Sequence, residues 1–194
     1  MEGVDALVKR ALELKEQGMS EREISREMHL SENTVIWLLT RKMKGEKPPI
    51  DVKIGWRSMG VYSTRLRYIA AIMADILMEE CSDMDVDTVV GIAINGIPIA
   101  TLISEEIGLE LGIYRPHISA DGGTISSNFA NVKGKGIVLV DDVMGTGETM
   151  RSAIRDMRSS GAKPLLGIVI VDKTGASEIE GVKVRSLIRA RPIS

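Results

Sequence analysis

Ile137-Val138-Leu139-Val140-Asp141-Asp142-Val143-Met144-Gly145-Thr146-Gly147-Glu148-Thr149 changes character twice, and that change decides the fold. Four apolar residues predict a buried strand, Ile137–Asp141, which ends in two carboxylates. A glycine-containing turn follows, and Glu148 opens a helix predicted to run to Ser160. The free amides and dipole of a helix N-terminus favour a phosphate, and Thr146 and Thr149 add hydroxyl donors. Carboxylates cannot grip a phosphate, but they accept hydrogen bonds from a sugar diol or help to hold Mg2+. The combination suits a ribose phosphate. No Gly-Lys-Ser/Thr follows, which excludes a Walker loop, and Met150 stands at the third glycine position of a dinucleotide fingerprint.

Outward from this segment, apolar runs alternate with amphipathic stretches, the pattern of an α/β fold with a parallel sheet. Strands are predicted at Asp87–Ile94, Leu109–Tyr114, Leu165–Val171 and Val182–Leu187, and helices at Thr64–Cys81 and Pro98–Gly108. The polar stretch Ser119–Val132 has no periodicity and reads as a mobile loop or hairpin. An Asp-Asp pair at a strand end also occurs in receiver domains, which Gly145–Thr149 fits poorly.

The segment resembles the phosphoribosyl pyrophosphate (PRPP) signature of type I phosphoribosyltransferases, and the resemblance spans most of Ile50–Ser194. It implies that Asp141 and Asp142 contact ribose hydroxyls while Thr146–Thr149 wraps the 5′-phosphate, with Val143 and Gly145 in the same loop. Gly91–Ala100 is similar to the family's pyrophosphate loop, with Ala93, Ile94, Asn95 and Gly96 as its core. Mg2+ is implied as a companion of PRPP, Asp141 or Asp142 being its candidate protein ligand; no metal site is built by side chains alone. Lys53, Arg115 and His117 are further candidates for ligand contact. The enzyme most resembled is orotate phosphoribosyltransferase. Two departures stand out: Gly145 replaces a usual side chain, and Ser119–Val132 contains no Lys or Arg, whereas the mobile loop of orotate enzymes is rich in lysine. Basic groups there stabilise charge on leaving pyrophosphate, so their absence weakens catalysis and leaves binding intact. Lys53, Arg57, Arg65 and Arg67 remain as sources of charge, as does a partner subunit.

Before Gly45-Glu46-Lys47-Pro48-Pro49, a helix-stopping linker, the sequence is helical. Leu7, Ala11 and Leu14 fall at helical spacing and Gly18 ends that helix. Ser20-Glu21-Arg22-Glu23 is a capping box for a second helix buried through Ile24 and Met28. His29-Leu30 turns the chain, Ser31 caps a third helix, and Val35, Leu38 and Leu39 give it a buried face. Trp37 is open to two readings, internal packing or contact with the second domain. This pattern resembles the helix-turn-helix of bacterial and archaeal transcription regulators. The resemblance implies that Ser31, Glu32, Asn33 and Thr34 lie near base edges and that Arg41, Lys42 and Lys44 meet phosphates. The whole chain resembles archaeal orotate-phosphoribosyltransferase-like proteins, one branch of which is known as a transcriptional regulator of sugar metabolism.

The chain has 194 residues, 44% hydrophobic and 27% charged: enough for one core and an appended module. The expected division is 1–45, a linker at 46–50, and 51–194. A net charge of −2 argues against indiscriminate coating of nucleic acid. One cysteine, Cys81, excludes an internal disulfide and paired zinc spacings, and with no evident signal peptide it predicts a cytoplasmic protein. Even the apolar stretch Ile69–Met78 is broken by Asp75, so no membrane span is expected. The reading is a DNA-binding transcriptional regulator whose second domain binds PRPP or a related phosphorylated metabolite, acting as a homodimer on palindromic promoter DNA. The alternatives are an active orotate-type phosphoribosyltransferase using Mg2+, or a dimeric binding protein whose helices serve protein contacts alone.

Overall fold

The computed structural model describes residues 3–40, 49–82, 84–117 and 121–191. They fall into two compact units, one within Met1–Gly55 and Arg191–Ser194, the other Trp56–Ala190. Asp51–Gly55 therefore group with the N-terminal helices. Of the expected linker, Pro49 and Ile50 are described and lack regular structure; 46–48 lie outside the described residues.

The first unit is built from α1 (Val4–Glu16), α2 (Glu21–Met28) and α3 (Glu32–Thr40). Val8, Ala11, Leu14, Ile24, Met28, Leu30, Val35 and Leu38 form one buried cluster, with Leu7, Met19, Trp37 and Leu39 packed on it. Trp37 thus packs internally. The turns follow from local chemistry: Gly18 adopts φ +87° after α1, and Ser20 and Glu23 form the expected capping box. That device contributes about 1 kcal/mol. His29 closes α2 in the left-handed region at φ 53°.

The second unit follows as α4 (Arg57–Gly60), α5 (Ser63–Glu80), β1 (Thr88–Ile92), α6 (Gly96–Ile107), β2 (Glu110–Pro116), β3 (Gly123–Ile125), β4 (Gly136–Met144), α7 (Glu148–Ser159), β5 (Lys163–Asp172), β6 (Glu178–Ile179) and β7 (Val182–Arg189). The sheet order is β3-β2-β1-β4-β5-β7-β6. β2, β1, β4, β5 and β7 are parallel neighbours, as expected, whereas β3 and β6 run antiparallel at the two edges. The expectation of a parallel sheet is corrected there: a parallel partner needs a long crossover, and these edges are made by short returns. Glu180 and Gly181, at φ 51° and 70°, form the tight two-residue turn that such a return requires. Ser119–Val132 contains β3 and is a hairpin partner of β2 within its described residues 121–132.

Strand alternation divides the core. Val90, Ile92, Leu139 and Val169 join Met150, Ala153, Ile154 and Met157 of α7 in one cluster. Val89, Val138 and Ile168, also fully buried, point the other way, the side on which α6 packs along β1 and β4. Among the described residues, no helix is long and apolar enough to cross a membrane.

Candidate functional site

The strand order reverses between β1 and β4: the chain leaves β1 through α6 towards β2, and β4 through α7 towards β5. Such a switch point opens a crevice at the carboxyl ends of the strands, the usual ligand position in open α/β sheets. Both loops singled out in the sequence lie there.

β4 carries Asp141 and Asp142 to its carboxyl end. Asp142 is only 4% exposed, and its Oδ2 accepts hydrogen bonds from Trp56 Nε1 at 2.8 Å and Asn95 Nδ2 at 3.0 Å. A buried carboxylate needs such donors to offset lost hydration. Asp141 is half-buried and accepts from the Asp142 amide at 2.9 Å. Beyond the half-buried Val143 and the buried Met144, residues 145–147 turn the chain into α7. Gly147 precedes that helix at φ +82°, and no side chain caps it. A Cβ at Gly147 would meet Ile179 Cδ1 at 2.9 Å, so this turn requires glycine twice over. Gly145 differs, because a Cβ there would meet nothing within 4 Å. The Thr146 hydroxyl accepts from the Glu148 amide at 3.4 Å, Glu148 is exposed, and Thr149 is half-buried.

The second loop, Ala93–Asn95, connects β1 to α6 and contains a cis Ala93–Ile94 peptide. Ile94 is 82% exposed. Asn95 turns inward to Asp142, and Gly96 is buried because a Cβ would run into the Val140 carbonyl. The close approach of α6 to β4 locks the two loops together.

Arg115 and His117 lie at the carboxyl end of β2, beside β1, and both are exposed. His117 Nε2 is 3.1 Å from Thr124 Oγ1. Asp156 of α7 ties this hairpin down, accepting from Tyr114 Oη at 2.6 Å and the Gly123 amide at 2.8 Å. Lys53 is exposed and belongs to the first unit. Arg65 is engaged with the Ser58 carbonyl at 2.6 Å and lies over the Tyr62 ring. Among the described residues, no group of three or more His, Cys, Asp or Glu could hold a metal ion. The two carboxylates fit Mg2+ only as supplements to a ligand's phosphates, its usual mode.

In the first unit, Glu32 and Asn33 are exposed at the start of α3. Thr34 is 7% exposed and gives its hydroxyl to Asp51 at 2.9 Å, while the half-buried Ser31 donates its amide to the same carboxylate at 2.6 Å. Ser31 and Thr34 therefore build the turn, while Glu32 and Asn33 present side chains outward. Arg41, Lys42 and Lys44 lie outside the described residues. Sequence reading missed Trp56 and Asp51, whose partners are 86 and 20 positions away.

Fold and site define a phosphoribosyltransferase-type domain that follows a three-helix unit in the sequence. The phosphoribosyl transferase domain family matches residues 62–186. A Thermoplasma acidophilum protein named transcriptional regulator GfcR is 51% identical over 195 residues, covering 100% of this chain and 98% of that protein. Its namesake from Picrophilus torridus is also 51% identical, over 97% of this chain and 98% of its own. The chain belongs to this family of GfcR transcriptional regulators. The orotate phosphoribosyltransferase of Mycobacterium tuberculosis, solved in complex with PRPP, shares the fold at a TM-score of 0.57 and 22% identity, over 70% of this chain and 80% of that one.

Proposed function

We propose that the second unit of this regulator binds PRPP or a related phosphorylated sugar, and that the three-helix unit binds promoter DNA in response. The observation that carries the ligand half is the Asp142 carboxylate, buried and oriented by Trp56 and Asn95 between two loops at the switch point. In this reading Asp141 and Asp142 accept the ribose hydroxyls. Thr146, Gly147 and the first amides of α7 receive the 5′-phosphate, and Ala93–Gly96 adjoins the pyrophosphate. Asp141 or Asp142 would hold Mg2+ together with the ligand's pyrophosphate, where the ion would supply charge neutralisation. The lack of Lys or Arg in Ser119–Val132 favours sensing over turnover, since nothing in that stretch would stabilise a departing pyrophosphate.

For the DNA half, the capping box, the left-handed turn at His29 and the exposed Glu32 and Asn33 support a helix-turn-helix whose α3 enters the major groove. Asn33 offers the donor and acceptor pair that suits adenine. One recognition helix reads few bases, so the active species is a symmetric dimer on an inverted repeat. The test is a fluorescence-anisotropy titration on promoter fragments at fixed salt, with and without PRPP and Mg2+. A specific affinity that shifts with PRPP is expected, and D141A/D142A should abolish the shift. A full shift in that variant would refute the assigned site, and pyrophosphate release with a nucleobase at ordinary turnover would restore the enzyme reading.

A further inference from the structure

Asp51 and Trp56 stand five positions apart in the sequence, and each is bonded to one of the two sites just described. At one end, Asp51 Oδ2 accepts from the Ser31 amide and the Thr34 hydroxyl, while Oδ1 accepts from the Val52 amide at 2.7 Å. The helix itself is capped by Ser31, whose Oγ accepts from the Thr34 amide at 3.2 Å; the Asp51 carboxylate braces that cap from outside the helical sequence, beside the exposed Glu32 and Asn33. At the other end, Trp56 gives its indole N–H to Asp142. The indole is seated on α4, where a Cβ at Gly60 would run into its ring.

We propose that Asp51–Trp56 is the coupling segment of the regulator, with Trp56 the positioning residue at the ligand carboxylate and Asp51 the positioning residue at the recognition helix. The proposal rests on the ligand and DNA reading above and assigns how one site informs the other. A carboxylate oxygen has about two lone-pair sites, and Asp142 Oδ2 already receives two N–H donors. A ribose hydroxyl bonded to this carboxylate competes with them for the same charge, so occupancy alters the hold on Trp56. The residues that follow from there to Asp51 are few, and Asp51 sets the turn from Ser31 to Thr34. Coupling through one charge-assisted hydrogen bond is limited to the free energy of that bond, roughly tenfold to a hundredfold in DNA affinity. By linkage DNA must change PRPP affinity by the same factor.

The experiment uses the full-length protein and reads the ratio of DNA dissociation constants without and with saturating PRPP and Mg2+, which normalises any change in either affinity alone. W56F removes the donor and keeps the ring shape; D51A removes the carboxylate that braces Ser31 and Thr34. Both ratios are expected to fall to within about twofold of one. A ratio equal to wild type in either variant overturns the coupling segment. W37F supplies a second measurement that leaves Trp56 intact as the sole indole, because the sequence has two tryptophans. Its emission should change along the PRPP binding isotherm, and unchanged emission at saturation overturns the proposal even if W56F fails to fold. If wild type binds no PRPP, the ligand reading falls and takes this inference with it; if wild type responds and the variants respond equally, only this inference falls.

Discussion

Gly145 and Gly147 are two residues apart in one loop and differ in what they tolerate. G147A forces a side chain into the left-handed region and against Ile179, so it should cost about 1–2 kcal/mol of stability and weaken PRPP binding. G145S meets open space and should change stability by no more than about 0.5 kcal/mol, while adding a hydroxyl to the loop proposed to hold the phosphate. Thermal denaturation with ligand titration separates the two. A second pair divides the recognition turn. N33A should leave melting unchanged and cost about tenfold in affinity for the specific operator. T34A removes a buried hydroxyl bonded to Asp51 and should destabilise the first unit by about 1 kcal/mol. The sequence presents Ser31–Thr34 as one group because adjacency is all it offers; the division into outward and structural residues depends on Asp51, beyond the linker. Asp141, Asp142 and the glycine loop were legible because strand, turn and helix start share one local pattern. Trp56 was not, since nothing near it in the sequence refers to Asp142.

Elements long enough to show a period were legible within a few residues: α5, α7, β4 and β5 all lie where apolar spacing put them. α4, β3 and β6 were not, because four residues or fewer carry no period and their positions are set by the neighbours they join. One of these joins is electrostatic. Glu80, at the end of α5, bonds Lys183 and Arg185 of β7, and those hydrogen bonds hold its carboxyl below the usual carboxylate range. A depressed native pKa stabilises the fold above the unfolded value and is lost as the pH falls through the native one. E80Q should therefore be less stable than wild type by roughly 0.5–1 kcal/mol near pH 7. The gap should narrow to nothing below the carboxylate range in pH-dependent melting. Y114F removes the half-buried bond to Asp156 and should cost about 1 kcal/mol, loosening the β2–β3 hairpin in hydrogen exchange.

At the scale of the molecule, the proposed symmetric dimer would place two recognition helices on half-sites about one DNA turn apart, roughly 34 Å, or a multiple of it. Inserting half a turn of DNA between half-sites should abolish specific binding in the anisotropy assay, and unchanged binding would count against the proposed dimer. In the sequence the Gly45–Pro49 stretch and the change of apolar patterning mark two segments, and the compact units divide after Gly55. The prolines at 48 and 49 are the visible punctuation, whereas Asp51 is bonded back to the helices that precede it. Exchange of the N-terminal helical unit between relatives therefore has a natural joint after Gly55 and an unnatural one at the prolines. A chimaera spliced at the prolines would have its Ser31 cap braced by a foreign sequence, and its specificity would depend on whether that donor happened to place an acid where Asp51 stands.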